Sequence, residues 1–463
     1  MKRLAFCTLC AALLGLVLVP RPLPASPGAE PAGLVVHEWG TFTSLQDEQG
    51  KALPGINIDD EPLPSFVHNL HPHVLTRPYV LTHPDMKGAP QRHPDVTMRL
   101  ETPVIYFHPA AGAPRPQSLN VDVSFRGGWL TEFYPAAKAD APGLEAGKFT
   151  FGPITPETLG SLAWHGLQVG TDRPGPQTEE HVWTAPRQVN AASVTSAGGE
   201  SEKYLFYRGV GRIDSPLRVV TDLATNTLYL RSQAGELAAK QPLPVPAAWL
   251  VHVRADGQAA WRSLPAVELT QDRERNLAST SAGFAEKEFG GDRLDELRSS
   301  MHAALVADGL FADEATAMLE TWRRAYFQSP GLRVFYLVPR AWTDHTLPLE
   351  LSAPAHVERV MVGRIELISP EQRASLAKLA SGPKTNANWL QLVYVSPNAN
   401  RFFEGRADFG DLGVKIPADY QTYLDLGRFR NALVIDAERK QPTETLRTFI
   451  DMYGLWLFRP ENQ

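Results

Sequence analysis

The chain has 463 residues, with 45 lysines and arginines against 51 aspartates and glutamates and a formal charge of −6. Beyond the first thirty residues no basic run exceeds two residues, which excludes the clustered Lys and Arg that a phosphate backbone or an anionic membrane surface requires, so nucleic acid is not an expected partner. Thirty-nine prolines, about 8 per cent of the chain against an average near 5 per cent, punctuate it into short segments that favour strands and loops over long helices.

In chain order, residues 1–29 read as a cleavable export signal and linker. Lys2 and Arg3 precede an apolar run over 4–19, which Pro20, Pro22 and Pro24 end before the small residues Ala25, Ser26 and Ala29. The run is short for a membrane helix of about 20 residues, so no membrane span is expected after cleavage and the protein is expected in the periplasm or medium. Both cysteines, Cys7 and Cys10, lie inside it. The mature chain is therefore expected to hold neither a disulfide nor a thiolate metal site, and its charge becomes 42 basic against 51 acidic residues.

Residues 30–275 show period-two patterning. Strand-like runs cover 34–45, 97–108, 119–134, 162–169, 203–212, 217–232 and 247–263. Val121, Val123 and Phe125 alternate with Asp122 and Ser124, and turns are expected at Asn226 and at Ala255, Asp256 and Gly257. Short strands with turn signals between them predict an antiparallel, sandwich-like β domain. Residues 276–463 are expected to be mixed α+β. Leu294, Leu297, Met301, Ala304 and Leu305 recur at helical spacing over 292–308, Gly309 supplies a stop, and Asp313 opens a second helix through Trp322. Strands follow at 332–338 and 357–368, then a short helix from Pro370 and a strand–helix pair across 431–457. The whole is α+β, and the patterning leaves open whether the later strands join the first sheet.

The string His37-Glu38-Trp39-Gly40-Thr41-Phe42-Thr43 resembles the opening of a family of exported bacterial proteins with no assigned activity. The resemblance extends to the blocks Arg99–Phe107, Thr131–Pro135, Tyr207–Gly211 and Glu314–Trp322. It implies a shared fold and lends no activity.

Strand alternation places Arg99 with Glu101, Glu132 with Tyr134, and His37 with Trp39 on common faces. Were these strands neighbours, Glu101, Glu132 and His37 would form a catalytic or metal-ligating group, with Arg99, Trp39, Tyr134 and Arg208 as substrate contacts. The plainer alternative is that Arg99 pairs with Glu101 or Glu132 as a buried ion pair in the sheet. Six of the thirteen histidines fall between positions 68 and 108, and His68, His71 and His73 are close enough in sequence to share a divalent metal. Four of those six precede proline, which fits an extended surface loop. No zincin helix, phosphate-cradling loop or nucleophile elbow occurs, and Gly209-Val210-Gly211 lacks the rest of a dinucleotide fingerprint. Trp39, Trp129, Trp164, Trp183, Trp249 and Trp261 are core residues or sugar-stacking platforms.

Two functions follow as expectations. The preferred one is a non-catalytic envelope or extracellular module that binds a glycan, a peptide or an envelope protein. The alternative is a secreted hydrolase using clustered carboxylates and histidine, with or without a divalent metal as cofactor.

Overall fold

The computed structural model describes residues 33–57, 63–70, 92–144, 151–382, 393, 396–398 and 410–457. The expected export signal with its two cysteines lies outside the described residues, as do His71 and His73. Among the described residues no helix is long and apolar enough to cross a membrane.

The chain is strand-rich α+β. Its main strands are β1 (Leu34–Gln46), β2 (Met98–Pro109), β3 (Gln117–Arg126), β4 (Gly128–Tyr134), β5 (Leu159–Val169), β6 (Leu205–Gly211), β7 (Leu217–Asp222), β8 (Thr227–Ser232), β9 (Ala248–Val253), β10 (Ala259–Leu264), β11 (Asn276–Ser281), β12 (Gly331–Leu337), β13 (Leu349–Leu351) and β14 (Ala355–Leu367). One large mixed sheet runs β10-β9-β12-β14-β1-β2-β6-β4-β5-β3-β13, and a smaller one runs β7-β8-β11. The strands after residue 330 therefore do join the first sheet, across the 275/276 boundary that composition suggests. β14 pairs in parallel with the whole of β1, from Leu34↔Ala355 to Gln46↔Leu367, which puts the His37–Thr43 string at the centre of the sheet.

Three of the long strand-like runs each divide in two. The breaks fall at Gly127 (φ 80°), Asn226 (φ 51°) and Gly257 (φ 84°), left-handed positions where a strand turns.

Alternation along β1 serves two cores. Val36 and Phe42 join a cluster that also takes Leu217, Val219, Leu228 and Leu230 from the small sheet. Trp39 faces the other way, with Tyr106, Phe206 and Val360, under the helical hairpin. The hairpin comprises α1 (Arg293–Ala307) and α2 (Ala312–Thr321), continued by a π-helical turn over Arg323–Gln328. In α1 the buried residues Leu297, Met301 and Leu305 recur every four positions, and Gly309 at φ 123° ends the run. A short helix, α3 (Arg340–Thr346), leads into β13. A third core gathers α4 (Pro370–Ser381), α5 (Ala418–Leu424), α6 (Arg430–Lys440) and α7 (Glu444–Tyr453) against Trp129 and Val210. The strand expected near 431 is thus helix. Leu433, Val434 and Ile435 have β propensity, but α6 shares its core with Phe449 and Ile450 of α7, and tertiary packing overrides so weak a preference.

Candidate functional site

Four central strands slip register near one level. The β1/β2 pairing shifts between Trp39 and Thr41, β2/β6 between Phe206 and Gly209, and β6/β4 between Arg208 and Gly209. Thr102 adopts φ 43° there. Such bulges re-aim side chains, and here they gather charge inside the protein. Arg99 Nε lies 3.2 Å from Glu101 Oε1, and Arg428 Nη2 donates to the same oxygen at 2.9 Å. Arg208 donates from Nε to Thr102 Oγ1 at 3.1 Å and stands 3.8 Å from Glu132. Glu101 is 1% exposed and Glu132 6%. The structure therefore brings Arg99 to Glu101 as a buried ion pair, one of the two pairings that the plainer sequence reading offered, and sets Arg208, expected as a substrate contact, beside Glu132.

The other expected substrate contacts are also enclosed. Trp39 is fully buried beside Tyr106. Tyr134 packs between Phe66 and Trp183, at centroid distances of 5.1 and 5.7 Å, and burial, followed by the Glu200 charge, pushes its hydroxyl up to about 12. Of the six tryptophans in the β-rich half only Trp261 is half-exposed; the other five are buried, and four of those send their indole N–H to Pro142 O, Pro135 O, Glu202 or Ser300. His68 pairs with Glu200 at 2.9 Å and stacks on Phe133.

His37 stands apart from the Glu101 group. Thr41, the register partner of Glu101, lies four residues along β1, roughly 13 Å away at strand rise. Its neighbours are instead His108 at the end of β2 and Glu314 in the first turn of α2. Val35↔His108 and His37↔Tyr106 are register pairs, so His37 and His108 are diagonal neighbours on one face. His37 Nδ1 is 2.6 Å from Glu314 Oε2, and His108 Nε2 is 2.9 Å from Oε1. Phe311 N donates to Oε2 at 2.9 Å, while the Phe311 ring covers His37 and His108 at 4.4 and 5.0 Å. Burial raises the Glu314 carboxyl, but hydrogen bonds from His108 and His37 outweigh it and hold the group below the usual carboxylate range. Among the described residues these three form the one group of at least three histidines, cysteines or acids with ligand atoms all within 4.8 Å of one another. Sequence reasoning missed His108 and Glu314. The face shared by His108 and Tyr106 is readable from alternation, whereas 277 residues separate His37 from Glu314.

A second opening lies elsewhere, at the far end of β1. A cleft of about 860 Å³ is lined by Lys51, Arg126, Arg212 and Arg218 against two acids, Asp214 and Glu236. The exposed side chains of Lys51 and Arg126 form no ion pair among the described residues, whereas Arg212 stands 3.5 Å from Asp95 and Arg218 2.9 Å from Glu274. Trp342 and His345 of α3 complete the lining. Burial, and then the Arg126 charge, lower the His345 pKa.

No protein-family model matches the chain, and no curated protein matches it.

Proposed function

We propose that the chain is an exported, non-catalytic binding module whose ligand is anionic and seats in the cleft between Lys51, Arg126, Arg212 and Arg218. The observation that carries this reading is the pair of exposed cations, Lys51 and Arg126, that no acid pairs among the described residues, on an 860 Å³ opening whose other two cations, Arg212 and Arg218, stand against Asp95 and Glu274, in a chain that is acidic overall. Concave sites of that size suit a small molecule or a few residues of a polymer, and converging cations raise the local concentration of anions. A glycan, peptide or envelope protein bearing carboxylate, sulfate or phosphate groups fits that chemistry. Sandwich-like packing of the β-rich half, with β7, β8 and β11 laid over the large sheet, belongs to the same reading, as does export through residues 1–29. The hydrolase reading assigns its acid and base to Glu101 and Glu132, and both carboxylates are engaged by arginines inside the fold.

Calorimetric titration with a uronate hexasaccharide, a sulfated hexasaccharide and an acidic peptide tests the proposal. Binding to at least one, weakened about tenfold or more in Lys51→Ala/Arg126→Ala and falling with salt, is the expected result. Equal binding in the variant, or binding to none of the three, would overturn it.

A further inference from the structure

We infer that His37, His108 and Glu314 form a binding site for one divalent transition-metal ion of the zinc class, which clasps the helical hairpin to the sheet. Among the described residues six glutamates are buried: Glu38, Glu101, Glu132, Glu202, Glu314 and Glu366. Five of them face an arginine: Glu38 with Arg359, Glu101 with Arg99, Glu132 with Arg208, Glu202 with Arg187 and Glu366 with Arg364. Glu314 alone is met by two imidazoles instead, and no lysine or arginine pairs with it among the described residues. A buried carboxylate without a fixed cation is costly, and a divalent ion between it and two neutral imidazoles supplies the missing charge.

Ligand chemistry agrees. Two imidazole nitrogens and one carboxylate are donors that zinc, cobalt and nickel accept, whereas calcium and magnesium prefer oxygen alone. The three ligand atoms come from three separate elements, β1, β2 and α2, already held together by sheet register and by packing of the hairpin on Trp39 and Tyr106. Glu314 is fixed further by the Phe311 N–H at the helix start. The Glu314 side chain is fully buried and that of His108 15% exposed, so the site is enclosed on the helix side and reached by solvent past His108. Three protein ligands leave a coordination position for water or for a group of another molecule. This site is independent of the cleft, which lies at the other end of β1.

The test is metal binding to the full mature chain, purified without an affinity tag and stripped with chelator. Dialysis against zinc followed by elemental analysis is expected to return one equivalent, while magnesium returns none. Cobalt should give the visible absorption of a nitrogen- and oxygen-ligated site, and zinc should raise the Tm by a few degrees where magnesium does not. His108→Ala, in which the most exposed ligand is removed, should weaken zinc binding by about two orders of magnitude, and His68→Ala should leave it unchanged. The zinc-dependent Tm shift of the unmutated chain keeps the test decisive where a variant fails to fold. Less than a tenth of an equivalent of zinc with no Tm shift, or undiminished zinc in folded His108→Ala, would overturn the assignment.

Discussion

Arg359 and Glu38 are register partners on the parallel strands β14 and β1, and the Arg359 Nε–H reaches Glu38 Oε2 at 2.5 Å. Glu38 is fully buried and also accepts the Tyr207 hydroxyl, while Arg359 continues outward to Asp344 at 2.9 Å. The second residue of the His37–Thr43 string therefore anchors a chain of polar contacts that joins the sheet centre to α3.

Removing one end of that pair strands a buried charge, for which about 3–5 kcal/mol is typical. Glu38→Gln is expected to lower unfolding stability by that order in urea titrations. Glu38→Gln/Arg359→Met should cost clearly less than the sum of the two single changes, because the double variant leaves no buried charge unmatched. Additive losses would show that the two side chains do not interact in solution.

A pH dependence follows from His93, which is 1% exposed. Its Nδ1 accepts from Asp95 N at 3.1 Å and its Nε2 faces Gly152 O at 3.3 Å, an arrangement that suits the neutral ring. Burial lowers its pKa, opposed by the Gly152 carbonyl and Asp95. Since the folded pKa lies below the unfolded value of about 6.5, the unfolded chain takes up the proton first. Stability from this group is complete above that value and drains away as pH falls through the depressed folded pKa. His93→Gln keeps a donor and an acceptor without a titrating ring. Its stability should fall less steeply than that of the unmutated chain below about pH 6.5, and parallel curves would rule out His93 as the source.

The glycines of Tyr207–Gly211 have a packing role. A Cβ on Gly209 would lie 2.5 Å from the Trp129 carbonyl oxygen, a backbone atom of the neighbouring strand that cannot rotate aside. Gly209→Ala is expected to cost about 1–3 kcal/mol through overpacking, read as a lower urea midpoint with an unchanged slope.

How much of this was legible in the sequence depends on the range of each interaction. Alternation at 119–126 and helical spacing at 292–308 are local signals, and both elements formed where they were expected. Asn226 and Gly257 were readable as turns because a left-handed residue leaves few alternatives. The parallel pairing of β1 with β14 joins segments more than 300 residues apart, and no local pattern encodes it. The site divides in the same way. Pairing of Arg99 with Glu101 follows from two residues on one strand face, whereas His37 meets Glu314 only because the hairpin folds back over the far end of β1. Glu314 stands three residues after Phe311 as an ordinary helix-start acid, and nothing in that spacing sets it apart from Asp313.

Catalytic and structural roles of a buried carboxylate diverge under the same change. Glu101 receives Arg428 at 2.9 Å and lies 3.2 Å from Arg99, with 1% of its surface exposed. A carboxylate kept for chemistry tolerates an amide in its place, since active-site charges are often held at a cost to stability. A carboxylate that neutralises buried guanidinium groups does not. Glu101→Gln is therefore expected to destabilise the protein by about 3–5 kcal/mol, and in conditions where the variant remains folded, the anionic-oligosaccharide binding proposed for the Lys51–Arg126 cleft should be unchanged. An amide variant of undiminished stability would instead return Glu101 to the list of groups placed for reaction.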